Sequence, residues 1–131
     1  MDKIINVIPL VRIGEVDFGT DRSNVRKSFG EYKEFRKSPL SKNTSDDFGF
    51  CHVYYDDKDR CQAIELFSGS QAKVNGTIVF PGDITEVTNV LGTLESVNGL
   101  YIDPQKSIGI YAPSGKIESI LFGTANYYAG G

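Results

Sequence analysis

The chain has 131 residues, 40% of them hydrophobic and 24% charged, with a formal net charge of −3. That length suits a single domain over residues 1–131, the apolar content suffices for a core and excludes wholesale disorder, and so small a charge sets up no global field for nucleic acid or an anionic membrane. No stretch approaches the roughly 18 apolar residues of a membrane span, and residues 1–9 carry an acid at once and a broken apolar run, unlike a signal peptide. A cytoplasmic location is the expectation.

In chain order, an extended segment reaches Gly14, and Val16-Asp17-Phe18 delivers an aromatic into a short helix. Thr20 or Asp21 can cap that helix, Val25 and Phe29 form an apolar stripe at i and i+4, and Gly30 stops it. A strand over 31–37 and a polar loop over 39–49 follow. Residues 50–55 and 62–67 then read as a hairpin around Asp56-Asp57-Lys58-Asp59. Ser68-Gly69-Ser70-Gln71-Ala72 reads as a joining segment. Ile78-Val79-Phe80 leads into a second helix, where Asp83 and Glu86 have capping-box spacing, Val87 and Leu91 form the stripe, and Gly92 is the stop. Short strands over 94–97 and 100–102 precede a second hairpin, 107–112 and 116–122, around Pro113-Ser114-Gly115.

The two passages match each other. Residues 18–30 align without a gap on 80–92, with Phe, Asp, Val and the closing Gly identical in type, and upstream Gly14 falls on Gly76. A short internal match of this kind points to one supersecondary unit used twice, over about 8–68 and 73–123. Helices this short need a sheet to lie on. The expected class is therefore α+β, an antiparallel sheet built from two pseudo-repeats with short helices on one face. Alternation along the hairpins puts Cys51, Val53, Ile64, Leu66, Ile108, Ile110, Ile120 and Phe122 on the core face. His52, Tyr54, Ala63, Glu65, Tyr111, Ser119 and Leu121 fall on the other.

Charge is segregated along the chain. Seven bases (Arg22, Arg26, Lys27, Lys33, Arg36, Lys37, Lys42) face two acids in the first block, and six acids (Asp46, Asp47, Asp56, Asp57, Asp59, Glu65) face two bases in the next. The blocks read either as two solvated faces or as an electrostatic docking surface. Catalytic groups are sparse. The single histidine, His52, follows Cys51, but neighbours on a strand point to opposite faces and cannot form a nucleophile–base pair. Two cysteines and one histidine fall short of a zinc site, and the loop at Asp56 lacks the central Gly and the closing Glu of a calcium loop. No phosphate-binding glycine motif occurs. Neither a cofactor nor a metal is expected, and the chain reads as no enzyme. A disulfide between Cys51 and Cys61 is sterically conceivable, although a reducing compartment would keep them as thiols. Aromatics within the basic block (Phe29, Tyr32, Phe35) invite a nucleic-acid reading, but Phe29 belongs to the helix stripe and the acidic block would repel phosphate.

The helix-opening pattern Phe18-Gly19-Thr20, Val25, Phe29-Gly30 resembles the start of the β-lactamase-inhibitor-protein and outer-membrane-assembly-lipoprotein type of fold, where a short helix leads into an antiparallel sheet. The tandem copy is similar to the inhibitor architecture, in which two such units form a concave sheet that grips another protein. The second copy departs from the motif at Pro81-Gly82-Asp83, and Val87 and Gly92 carry the match. Inhibitor and lipoprotein members are exported. A small acidic chain without a leader is similar in style to immunity proteins, which are cytosolic and block one cognate bacterial toxin. What the resemblance implies is a protein-binding module whose partner is a protein toxin, and the acidic block suits a basic toxin such as a nuclease. The alternatives are an enzyme inhibitor or envelope-assembly module of the same fold, or a small hydrolase with an unrecognised carboxylate site. On this reading Tyr54, Tyr111 and Glu65 lead the contact, with Asp46, Asp47, Asp57 and Asp59 as an acidic rim for a basic partner.

Overall fold

The computed structural model describes residues 3–36, 38–40, 43–91, 94–125, 127 and 128. In order, the chain runs β1 (Lys3–Ile8), β2 (Arg12–Ile13), β3 (Val16–Asp17), α1 (Arg22–Phe29), β4 (Lys33–Phe35), β5 (Ser45–Asp47), β6 (Cys51–Tyr55) and β7 (Cys61–Leu66). It continues with β8 (Ser70–Val74), β9 (Thr77–Phe80), α2 (Ile84–Leu91), β10 (Glu95–Val97), β11 (Leu100–Asp103), β12 (Ile108–Tyr111) and β13 (Ser119–Gly123). The architecture is mainly antiparallel sheet with two short helices, which agrees with an α+β class.

There are two sheets where one was expected. An eight-stranded antiparallel sheet has the order β10-β11-β12-β13-β7-β6-β5-β4, and a five-stranded sheet has the order β3-β2-β1-β8-β9. In the second, β1 lies between two hairpins, antiparallel to β2 and parallel to β8. The expected joining segment over 68–72 is therefore partly strand, because Ser70 to Val74 pair along β1 from Lys3 to Val7. The polar loop over 39–49 likewise contains β5, which bridges β4 and β6.

Both sheets and both helices contribute to one buried cluster. All eight hairpin residues assigned to the core face are buried, and they meet Ile5, Val7, Ile13, Val16, Ala72, Val74 and Phe80 of the small sheet, with Val25, Val87 and Leu91 of the helices. Burial of this many aliphatic side chains, each contributing roughly 1.5–3 kcal/mol, is what holds helices of eight residues in place.

The helix ends follow local chemistry. Gly30 stops α1 at φ 95°, a conformation that suits glycine, and its N–H donates to Arg26 O. Asp21 occupies the N-cap without a side-chain cap bond. At α2 the Asp83 N–H donates to Glu86 Oε1 at 3.3 Å, one half of the expected box. The predicted stop at Gly92 lies outside the described residues.

Each helix start is also tied to a hairpin tip. Arg22 N–H donates to Asp59 O at 3.0 Å and Ile84 N–H donates to Gly115 O at 2.9 Å. Cys61 N–H donates to Thr20 O at 2.8 Å and Ile117 N–H to Gly82 O at 2.9 Å.

The cysteines are free and buried. Cys51 pairs with Leu66 and Cys61 with Tyr55, at opposite ends of the hairpin. Four residues of strand separate them by roughly 13 Å, beyond the roughly 7 Å Cα limit of a disulfide, so the conceivable bridge is ruled out in this fold. Burial pushes the Cys61 thiol up to about 12 and raises Cys51 as well.

Candidate functional site

The outward face of the large sheet is built by the same alternation that builds the core. Ladder registers place Gly109 beside Leu121, Leu121 beside Glu65, and Glu65 beside His52. In the neighbouring rows Tyr111 lies beside Ser119, and Ala63 lies between Gly123 and Tyr54.

Glu65 is the focus of this face. The Tyr54 hydroxyl donates to its Oε1 at 2.6 Å and the Ser119 hydroxyl donates to its Oε2 at 2.8 Å. Burial, and then the bond to Glu65, pushes the Tyr54 phenol well above its ordinary value, so it remains a donor. A hollow of about 430 Å³ opens here, lined by Glu65, Phe67, Leu100, Tyr111, Glu118 and Ser119. Tyr111 is 44% exposed at its wall, and Val97 stands exposed toward the β10 edge of the sheet.

The other half of the face is closed. Tyr54 is only 7% exposed, packed with Ala63 and Leu121 under Phe35, Tyr127 and Tyr128. Gly109 and Gly123 make room for the two C-terminal tyrosines: a methyl at Gly123 would lie 2.8 Å from Tyr127 Cβ. Tyr54 is thus corrected from a leading contact residue to a buried support for Glu65. His52 fills the same half, with ring centroids 4.6 Å from Phe35 and 4.5 Å from Phe67, and its Nε2 is 3.6 Å from Asp47 Oδ2.

Asp46 requires the second correction. It has no exposed surface and cannot belong to an acidic rim. It pairs with Val53 on the core side of the sheet, beside α1. Arg22 Nη2 donates to Oδ1 at 2.8 Å, while Arg26 Nε and the Tyr55 hydroxyl each donate to Oδ2 at 2.8 Å. Burial alone would raise the Asp46 carboxyl, but the hydrogen bonds from Arg26, Arg22 and Tyr55 outweigh it and hold the pKa at about 2. The basic and acidic blocks of the sequence thus meet each other through these residues. Lys37 and Lys42 of the basic block lie outside the described residues.

The remaining acids are spread out. Asp57 and Asp59 are exposed at the β6–β7 tip, where Asp59 Oδ1 accepts from Asn43 at 2.9 Å. Asp47 is half-buried and accepts from Gly49 N–H at 2.8 Å. The structure therefore brings Glu65 and Tyr111 together at one hollow and places the tip acids elsewhere on the sheet. Phe67, Leu100 and Glu118 were missed as site residues. Phe67 was legible as the next outward position after Glu65, whereas Leu100 arrives only through its pairing with Tyr111.

Among the described residues no three of His, Cys, Asp and Glu gather as a metal-binding group, and no helix is long and apolar enough to cross a membrane. Compared with known proteins, the chain matches no protein-family profile, no curated protein sequence and no solved structure.

Proposed function

We propose that this chain is a cytoplasmic immunity protein, a module that neutralises a bacterial protein toxin by docking on it and performs no catalysis. The observation that carries this reading is the Glu65 hollow on the outward sheet face. A fixed carboxylate stands there beside the exposed ring of Tyr111 and the apolar Leu100, which is the composition of a protein-binding surface. Acids at Glu118, Asp57 and Asp59 would steer a basic partner, and nucleases are commonly basic because their substrate is anionic. The resemblance to the tandem inhibitor architecture points the same way. On this reading nucleic acid and membranes are not partners.

The reading includes a two-copy origin for the fold. Its support is that α1 and α2 are both eight residues long, begin 62 positions apart at Arg22 and Ile84, and are tied to hairpin tips by equivalent backbone bonds.

The test is co-expression with the protein encoded by the adjacent gene of the source genome, since immunity genes sit beside their toxins. Growth arrest by that protein, relieved by this chain, with a stoichiometric complex in calorimetry, is the expected result. Growth arrest that this chain does not relieve, with no heat of binding, would overturn the proposal.

A further inference from the structure

The geometry points to an arginine side chain of the partner as the occupant of the Glu65 hollow, an inference that rests on the protein-docking reading above. Several other described carboxylates are met by a cation of their own chain: Asp46 by Arg22 and Arg26, Asp56 by Arg60, Asp17 by Arg12, and Asp103 by Lys106. Glu65 is held differently. Two neutral hydroxyls, from Tyr54 and Ser119, fix both oxygens without cancelling the charge. A carboxylate offers about four acceptor positions, so roughly two remain for an incoming donor.

The rest of the lining suits the same ligand. A second carboxylate, Glu118, stands at the hollow, and none of the described lining residues is a lysine or arginine. Phe67 and Tyr111 line the hollow with aromatic surface suited to a guanidinium, and Leu100 adds apolar surface for the methylene stem. The volume, about 430 Å³, falls in the ordinary range of small-ligand clefts, roughly 300–1,000 Å³. The site is also stiff. Glu65 lies on β7 near the middle of the sheet, and its two supporting residues are buried. That arrangement lowers the ordering cost of capturing a flexible side chain.

The experiment is a titration of isotopically labelled protein with N-acetylarginine amide, followed by backbone amide shifts. The controls are N-acetyllysine amide and the uncharged citrulline analogue. Saturable shifts at Glu65, Phe67, Tyr111 and Ser119 with a dissociation constant of about 1–10 mM are expected, with the lysine analogue severalfold weaker and citrulline silent. Glu65→Gln should weaken binding about tenfold. Glu118→Gln and Tyr111→Ala, at exposed positions, should each weaken it about threefold and serve if Glu65→Gln fails to fold. Shifts no larger at the hollow than at Asp57 and Asp59, equal binding of the lysine analogue, or unchanged affinity in the variants would overturn the inference. Because the probe involves no toxin, its outcome is separate from that of the growth test.

Discussion

The guanidinium of Arg22 lies 2.8 Å from the carboxylate of Asp46, joining the basic stretch of the chain to the acidic one. Arg26 grips the same carboxylate from the next turn of α1, and its guanidinium lies 3.9 Å from the centroid of the Tyr32 ring. One buried acid thereby pins the first helix to β5 and β6.

Removing that acid leaves two guanidinium groups and the Tyr55 hydroxyl without their shared acceptor. Asp46→Ala is expected to destabilise the fold by about 3 kcal/mol, the scale for breaking a buried ion pair from one side. Urea unfolding measures this directly. Arg22→Ala and Arg26→Ala should each cost less and be non-additive with Asp46→Ala. Additive costs would show that the three side chains do not act as one unit.

The same clamp sets an acid limit. The folded pKa of Asp46, about 2, lies below its ordinary 3.8, so the charged form is favoured by folding. Its contribution is fully present above about pH 4 and is lost as pH falls through about 2. At roughly 1.4 kcal/mol per unit it amounts to about 2 kcal/mol. Asp56 adds the same sign, because backbone N–H groups of Arg60 and Lys58 hold its carboxyl down against the burial that would raise it. Urea midpoints across this range should drop steeply in the parent chain and more gently in Asp46→Asn. An equal slope in both proteins would remove Asp46 as the cause.

The strands that alternate are the ones legible in the sequence. Cys51-His52-Val53 and Ile108-Gly109-Ile110 switch between core and outward residues, so period 2 sorts them correctly. Both helices were marked by their apolar stripes, and the first by its closing Gly30. In β1, by contrast, Ile4 and Ile8 are as apolar as the buried Ile5 and Val7, so no alternation betrays a strand. The strands that flank it as β2 and β3 are two residues each. In β5, Ser45-Asp46-Asp47 has low strand propensity and is held by tertiary bonds from α1. That is also why Asp46 read as a rim acid. The closing of the outward face over Tyr54 depends on residues 127 and 128, about sixty positions further along the chain than Ala63, and no local pattern announces such a contact.

The two C-terminal tyrosines make a sign-changing prediction. A methyl at Gly109 would lie 2.6 Å from Tyr128 Cζ, so Gly109→Ala must push that ring aside. The expected cost is about 1–2 kcal/mol, with faster hydrogen exchange around Tyr54. In a Tyr128→Ala background the obstruction is gone, and alanine loses less chain entropy than glycine in a strand. There Gly109→Ala should be neutral or slightly stabilising in denaturant unfolding. The same destabilisation in both backgrounds would mean that Tyr128 does not occupy this seat.

Tyr54 and Tyr111 should separate into a supporting and a contacting role. Tyr111 is exposed at the hollow, so Tyr111→Ala should leave stability nearly unchanged and weaken toxin binding by about 2 kcal/mol, roughly thirtyfold. Tyr54 is buried, so Tyr54→Ala should lower stability by about 3 kcal/mol through the void and the freed Glu65. Tyr54→Phe keeps the ring and removes only the bond to Glu65, which should cost about 1 kcal/mol in folding and loosen the carboxylate that binding uses. Asp57 and Asp59, at the exposed tip, act at longer range, so Asp57→Asn with Asp59→Asn should slow association and flatten its salt dependence with little effect on dissociation. Calorimetry and stopped-flow binding against the cognate toxin give all of these readings. The rival surface is the basic block around Arg22, Lys27, Arg36 and Lys37, of whose described bases Lys27, Arg36 and the neighbouring Lys33 are exposed. Loss of affinity in Lys27→Ala and Lys33→Ala, with Tyr111→Ala binding as tightly as the parent chain, would move the interface to that side of the molecule.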